Sequence, residues 1–224
     1  MNADSINRPV RSSPLLATHS RLNARWRAPD VRWPLDYGNP PAEAAAARSA
    51  AALVDWGPFD KLIVQGSGMA STLSRAGVEF APGKVTHASV SGTKLQVWAV
   101  APDEAILLYP PTEKLPDFTN SSGVTTVNVS SALSVLNLVG PNSRGVLGEL
   151  CPVDLRPNAV ADLQIVQGPV ANVRVTLARQ DMGQAPAFTI LVPRDYAAYL
   201  WEAMLHTGVP FGLMPAGTHV MEGI

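Results

Sequence analysis

The chain has 224 residues, 46% of them hydrophobic and 16% charged, with a formal net charge of −1. That is long enough to bury a sizeable core, and the near-neutral balance gives no reason to expect nucleic acid as a partner. A single cysteine, Cys151, rules out an internal disulfide and points to a reducing, cytoplasmic setting, while four histidines without ligand spacing leave no zinc motif.

The head is the only basic stretch, with Arg8, Arg11, Arg21, Arg25, Arg27 and Arg32. Asp4, Asp30 and Asp36 lie among them, which argues against a transit peptide. An apolar signal core and an 18-residue apolar run are both missing, so neither export nor membrane insertion is expected. Residues 1–12 are polar and aperiodic and read as a flexible arm. A short helix is expected over 19–26, then turns and extended chain where Pro29, Pro34, Pro40 and Pro41 break regular structure. Residues 43–53 are Ala-rich and predict a helix with Glu43 in its first turn.

Residues 59–65 read as a strand and 67–75 as a helix. The alternation over 85–100 predicts a hairpin turning at Ser91-Gly92, and 105–109 a further strand. Residues 112–120 predict a modest helix and 124–129 a strand. The run 135–139 is apolar and partly β-branched, Gly140 ends it, and Pro141 suits the first position of a helix whose stripe is Val146, Leu147 and Leu150. A Pro-pinned connector over 151–157 leads to strands at 163–166 and 170–177, a loop at 181–186 and a strand at 188–192. Ala197, Leu200, Trp201, Met204 and Leu205 then fall on one helical face, and 212–217 reads as a turn.

The strand–Gly–helix sentence occurs twice, 74 residues apart: Gly66 aligns with Gly140 and Leu73 with Leu147. The pattern predicts a duplicated strand–helix–strands–helix plan, an α+β fold with antiparallel and mixed sheets, whose halves span 13–130 and 131–224 of one integrated domain. Gly66-x-Gly68-x-x-Ser71 invites a dinucleotide reading. Its third glycine and the acidic residue about 20 positions on are missing, so a structural turn is the better account. There is no G-x-S-x-G elbow and no paired carboxylate, and Trp56, Trp98 and Trp201 read as core.

The order of motifs resembles the aminomethyltransferase family, the folate-binding T-protein of the glycine cleavage system and its relatives. Ser13-Pro14-Leu15 with His19, Tyr37-Gly38, Glu43, Arg48, Leu53-Val54-Asp55 and Lys61-Leu62-x-Val64-x-Gly66 are similar to its N-terminal run. Asn137-Leu138-x-Gly140-Pro141-x-Ser143-Arg144 resembles its central motif, and residues 181–192, Tyr199-Leu200-Trp201 and Gly212-Leu213-x-Pro215-Ala216-Gly217 its later portion. The resemblance covers about 13–223 and implies that family's folate-binding domain without the C-terminal barrel that follows it there.

Several departures bear on function. The family's Gly-Gly-x-x-x-Asp segment, whose Asp orients the folate nitrogen, meets Ser91-Gly92-Thr93-Lys94-Leu95-Gln96-Val97, which has no carboxylate. An Asn-Ala pair becomes Tyr109-Pro110-Pro111. Tyr-Thr-Gly-Glu-x-Gly, whose Glu binds the pterin, becomes Asp181-Met182-Gly183-Gln184-Ala185-Pro186, and the final Arg is gone. Cys151-Pro152-Val153-Asp154-Leu155 and Tyr199-Leu200-Trp201 are similar to the short gamma subunit of heterotetrameric sarcosine oxidase. The resemblance therefore implies a non-catalytic accessory subunit of a heteromeric demethylating complex, with a flavoprotein or folate-domain partner docked at Phe211, Leu213, Met214 and Met221. Gln184 and Tyr109 would line a vestigial pocket that binds tetrahydrofolate weakly if at all. A stand-alone tetrahydrofolate-binding relative and a binder of another small ligand are the alternatives.

Overall fold

The computed structural model describes residues 11–27, 31–111, 118 and 121–222. The expected flexible arm and the expected helix over 112–120 lie outside these residues, apart from Arg11, Ser12 and Phe118. Two short ribbons hold the head: β1 (Arg11–Ser12) runs parallel to β3 (Val31–Arg32), and β2 (Arg25–Trp26) antiparallel to β4 (Pro34–Asp36). Between them lies α1 (Leu16–Arg21), earlier in the chain than periodicity placed it. α2 (Pro40–Ser49) starts with prolines in its first turn, and the Asn39 side chain accepts from the Ala42 N–H.

The duplicated plan is present in its strand–helix–strands part, the first copy's second helix being expected over 112–120, outside the described residues. In the first copy β6 (Asp60–Gln65) leads through a glycine turn to α3 (Met69–Arg75). Then come β7 (Val85–Val90), β8 (Thr93–Ala101), β9 (Glu104–Tyr109) and β10 (Thr125–Asn128), giving an antiparallel sheet of order β10-β6-β9-β8-β7. The second copy repeats it with β11 (Leu133–Val139), α4 (Ser143–Leu150), β12 (Ile165–Val170), β13 (Val173–Arg179), β14 (Ala187–Pro193), α5 (Ala197–Gly208) and β15 (Leu213–Ala216). Its sheet has the order β12-β13-β14-β11-β5-β15, where β5 (Ala51–Asp55) comes from the head. Both turn glycines adopt positive φ, +117° at Gly66 and +120° at Gly140. Their N–H groups donate to equivalent carbonyls, Asp103 and Pro186, each at 2.9 Å.

Two expectations need correction. Residues 51–55 form a strand rather than the end of a helix, because all five are buried between β11 and β15 and tertiary pairing overrides alanine's helix propensity. The expected turn over 212–217 contains β15, paired in parallel with β5 at the sheet edge, a position that accommodates Pro215.

Each sheet covers its own helices on one face. The six-stranded sheet packs Leu53, Leu136, Leu138, Phe188 and Ile190 with α4 and α5, and the five-stranded sheet packs Val64, Val97 and Leu107 with α3. The other two faces meet in a seam of Val85, Trp98, Ile106 and Leu108 against Val135, Ala178 and Leu191. The sheets also join at one corner, where Lys84 and Gln164 bridge and the Val85 N–H donates to Leu163 O at 2.7 Å.

Candidate functional site

The seam face of the five-stranded sheet can be followed row by row. Residues directly opposite on paired strands share a face. Val85, Trp98, Ile106 and Ile63 make one such row, buried under the other sheet except for the half-buried Ile63 at its end. Two residues further along each strand, His87, Gln96, Leu108 and Lys61 make the next. Beyond it Ser89 faces Lys94. The second sheet covers the first row, while His87, Ser89 and Lys94 are exposed, and a cleft of about 490 Å³ opens there, lined by Phe59, His87, Lys94, Gln96, Leu108 and Pro110 among others.

Its walls are fixed from behind. Phe59 stacks on Trp56 with ring centroids 5.0 Å apart, and Trp33 lies 5.5 Å away on Phe59. The buried Lys61 donates from Nζ to Gly57 O at 2.6 Å and Ser130 O at 3.3 Å, tying the start of β6 to the segment between the copies. Gln96 is half-buried, and its Oε1 accepts from Trp98 Nε1–H at 3.1 Å. Its amide N–H groups remain to donate into the cleft. An apolar floor with an aromatic wall, an amide donor, an imidazole and an ammonium suits a planar ligand carrying acceptor atoms. The described lining contains no carboxylate.

Gln96 also stands four residues after Gly92, as the Asp does in Gly-Gly-x-x-x-Asp, and Pro110 follows β9 where the Asn-Ala pair belongs. The structure brings these two positions into one cleft. Gln96 was not among the candidate residues, because recognising it requires the β7–β8–β9 register that places it opposite both His87 and Leu108. Tyr109 lies on the other face of β9, within the cluster of Val64, Leu73 and Phe118. Gln184 is exposed on a tight turn closed by mutual Met182 and Ala185 backbone hydrogen bonds. Neither lines the cleft.

The four interface candidates are placed by the end of the chain folding onto β5 and α4. Leu213 is 9% exposed and packs in the larger core. Phe211 packs on that core and presses against Gly145. Met214 and Met221 are half-buried.

The most concentrated set of titratable groups lies on the helix side of the six-stranded sheet. His19 Nε2 is 2.8 Å from Asp55 Oδ2, with both side chains fully buried, and the Tyr37 hydroxyl is 2.8 Å from His19 Nδ1. The Trp201 ring meets His19 edge-on at 5.0 Å. Asp55 Oδ1 accepts from the Gly57 N–H at 2.6 Å, and Glu43 accepts from the Tyr37 and Gly217 N–H groups. Burial, with Asp55 and Glu43 nearby, raises the Tyr37 pKa above the ordinary phenol value, so its hydroxyl stays a neutral donor. Arg25 grips Asp36 through two hydrogen bonds, 2.6 and 2.7 Å, and holds its carboxyl below the usual carboxylate range. These residues fasten the head to the sheet and do not line the seam cleft. Among the described residues, no group of three or more His, Cys, Asp or Glu is placed to hold a metal ion, and no helix is long and apolar enough to cross a membrane.

The GCVT N-terminal domain family matches residues 107–224, more than half of the chain. The aminomethyltransferase of Chloroherpeton thalassium is 24% identical, covering 93% of this chain and 62% of that protein. The Streptomyces coelicolor aminomethyltransferase is 26% identical over 93% and 60% respectively. This chain therefore spans about 60% of the length of such relatives. Among solved structures, glycine cleavage system aminomethyltransferase T from Bartonella henselae superimposes with a TM-score of 0.78 at 20% identity, over 94% of this chain and 60% of that one. A chain of heterotetrameric sarcosine oxidase from Corynebacterium sp. U-96 does so with a TM-score of 0.62 at 24% identity, over 79% and 94%.

Proposed function

The chain belongs to the GCVT N-terminal domain family, and from that premise we propose that it acts as a non-catalytic accessory subunit of a heteromeric, folate-linked demethylating assembly in the cytoplasm. The observation that carries the reading is Gln96. The position that would hold a proton-transferring carboxylate holds an amide, which neither takes nor gives a proton, and its oxygen already accepts from Trp98 Nε1–H. The carboxylates Asp36, Glu43 and Asp55 serve the head instead. Likeness to a chain of heterotetrameric sarcosine oxidase supports a partnered role. A flavoprotein or folate-domain protein is the partner class this reading requires.

One observation favours a second reading, a stand-alone tetrahydrofolate-binding relative: the seam cleft is open, at about 490 Å³. Calorimetric titration with tetrahydrofolate separates the two. Weak or absent binding is expected, and a dissociation constant at or below micromolar, about −8 kcal/mol, favours the second. Co-purification from the native host with mass measurement tests the partnered role. A heteromeric complex is expected, and a monodisperse monomer defeats the proposal.

A further inference from the structure

We propose that the chain carries a second ligand site, distinct from the seam cleft, that takes the phosphoryl group of a small molecule. The place is a cleft of about 740 Å³ beside α3, lined by Ser71, Thr72, Arg75, Ser91, Ser121 and Ser122, with Phe118 at its apolar end. Two glycines build it. A Cβ at Gly66 would strike Gly123 O, and one at Gly68 would strike Ser122 O. Their absence lets the 121–123 turn press onto the entry to α3, where the Gly68 N–H donates to Gly123 O at 3.0 Å. The hairpin tip supplies Ser91, held at φ +51°. Arg75 donates to Thr72 Oγ1 at 3.1 Å and has no carboxylate partner among the described residues. Ser71 Oγ donates to Gly68 O at 2.9 Å and the buried Thr72 hydroxyl is held by Arg75, so the groups that face a ligand are the exposed guanidinium and the hydroxyls of Ser91, Ser121 and Ser122. With no carboxylate in the described lining, that is a donor set that a phosphoryl group fills with charge-assisted hydrogen bonds.

The second copy of the fold serves as an internal control. At the same 74-residue offset Ser71, Thr72 and Arg75 become Gly145, Val146 and Glu149. Gly68 becomes Asn142, whose side chain donates to Phe211 O at 2.9 Å, and the Phe211 ring packs directly onto Gly145. The fold is therefore built there without the hydroxyls or the guanidinium, and the equivalent ground is covered by the chain's own aromatic ring. The polar set beside α3 is not something this architecture requires.

The test is a two-dimensional amide NMR titration of the full chain with inorganic phosphate, with a phosphate monoester such as AMP, and with citrate. Saturable shifts at Ser91, Ser121, Ser122 and Arg75 are expected with a phosphoryl ligand. Tighter binding of the monoester would mark a phosphorylated metabolite as the source, and equal binding would mark free phosphate. Arg75→Gln should weaken binding at least tenfold and Arg75→Lys less, while Gln96→Ala in the seam cleft leaves it unchanged. Arg75 is exposed, so circular dichroism of the Gln variant should match the parent. Shifts that do not saturate, citrate binding as tight as phosphate, or an Arg75→Gln variant that binds like the parent would each overturn the proposal.

Discussion

Trp201→Ala probes the joint between α5, the six-stranded sheet and the head. Trp201 is fully buried among Leu15, Leu136, Leu200 and Met204, and its ring meets His19 edge-on at 5.0 Å. Removing an aromatic side chain from such a site costs about 3–5 kcal/mol in lost transfer energy and residual cavity. Losing the edge-to-face pair with His19 costs a further ~0.5–1.5 kcal/mol. One feature works the other way: Trp201 Nε1–H is buried without a partner. Its removal relieves an unmet donor that costs roughly 1–3 kcal/mol. The expected net loss is thus about 3 kcal/mol, and Trp201→Phe, which keeps a ring and drops the orphan N–H, should lose far less than Trp201→Ala. Urea denaturation at neutral pH, with the midpoint shifting at unchanged slope, is the assay. A loss below about 1 kcal/mol for the Ala variant would refute the placement of α5 against the core.

Gly140→Ala should destabilise by at least ~1–3 kcal/mol, because φ is +120° and a Cβ would lie 2.6 Å from Ala50 O; thermal melts within about 1 °C of the parent would contradict it. Asp55→Ala removes the acceptor of both His19 Nε2 and the Gly57 N–H, so a loss of roughly 2–6 kcal/mol is expected from two unmet buried groups, and denaturation unchanged from the parent would count against the clasp. Asp36, depressed chiefly by its hydrogen bonds to Arg25, contributes stability that is complete above the ordinary carboxylate pKa of about 3.9 and is lost as pH falls through the depressed value. Asp36→Asn should therefore flatten the acid limb of the stability curve. Parallel curves for the two proteins across that limb would exclude the linkage.

The sequence made the duplication legible because it is carried by residues with one job each. Glycines sit where φ must be positive, and apolar positions at strand and helix spacing place β6, α3, β11, α4 and α5, with ends that move by a residue or two: α4 starts at Ser143 behind Asn142, so Pro141 precedes the helix rather than opening it. What escaped it depends on partners remote in the chain. The hairpin joining β12 and β13 turns at Ala171 and Asn172, both in the left-handed region at φ +48° and +64°, and Ala carries no turn signal. β5 hides in an alanine-rich run whose local preference is helical, and only its place in the sheet makes it a strand. The seam cleft escaped for the same reason. Tyr109 neighbours the informative Pro110 in sequence, yet strand alternation sends Tyr109 to the helix side and leaves Gln96, thirteen positions earlier, facing the cleft.

The asymmetry between the copies bears on why so much titratable chemistry sits away from the two clefts described. In the first sheet β10 lies directly beside β6, whereas in the second the corresponding place beside β11 is taken by β5, and β15 is moved out to the edge. Inserting β5 draws the head with it. Asp55, the last residue of β5, lies on the helix face of the sheet, where His19, Tyr37 and Trp201 gather around it. Glu43 then binds backbone N–H groups from both Tyr37 and Gly217, joining the head to the end of the second copy. A carboxylate used this way is not available to transfer protons, since moving it would leave buried donors unmet. The seam cleft is left with an amide, an imidazole and an ammonium, and the cleft beside α3 with hydroxyls and a guanidinium. Both donor sets are suited to holding acceptor-rich ligands, and among the described lining residues neither includes a carboxylate general base.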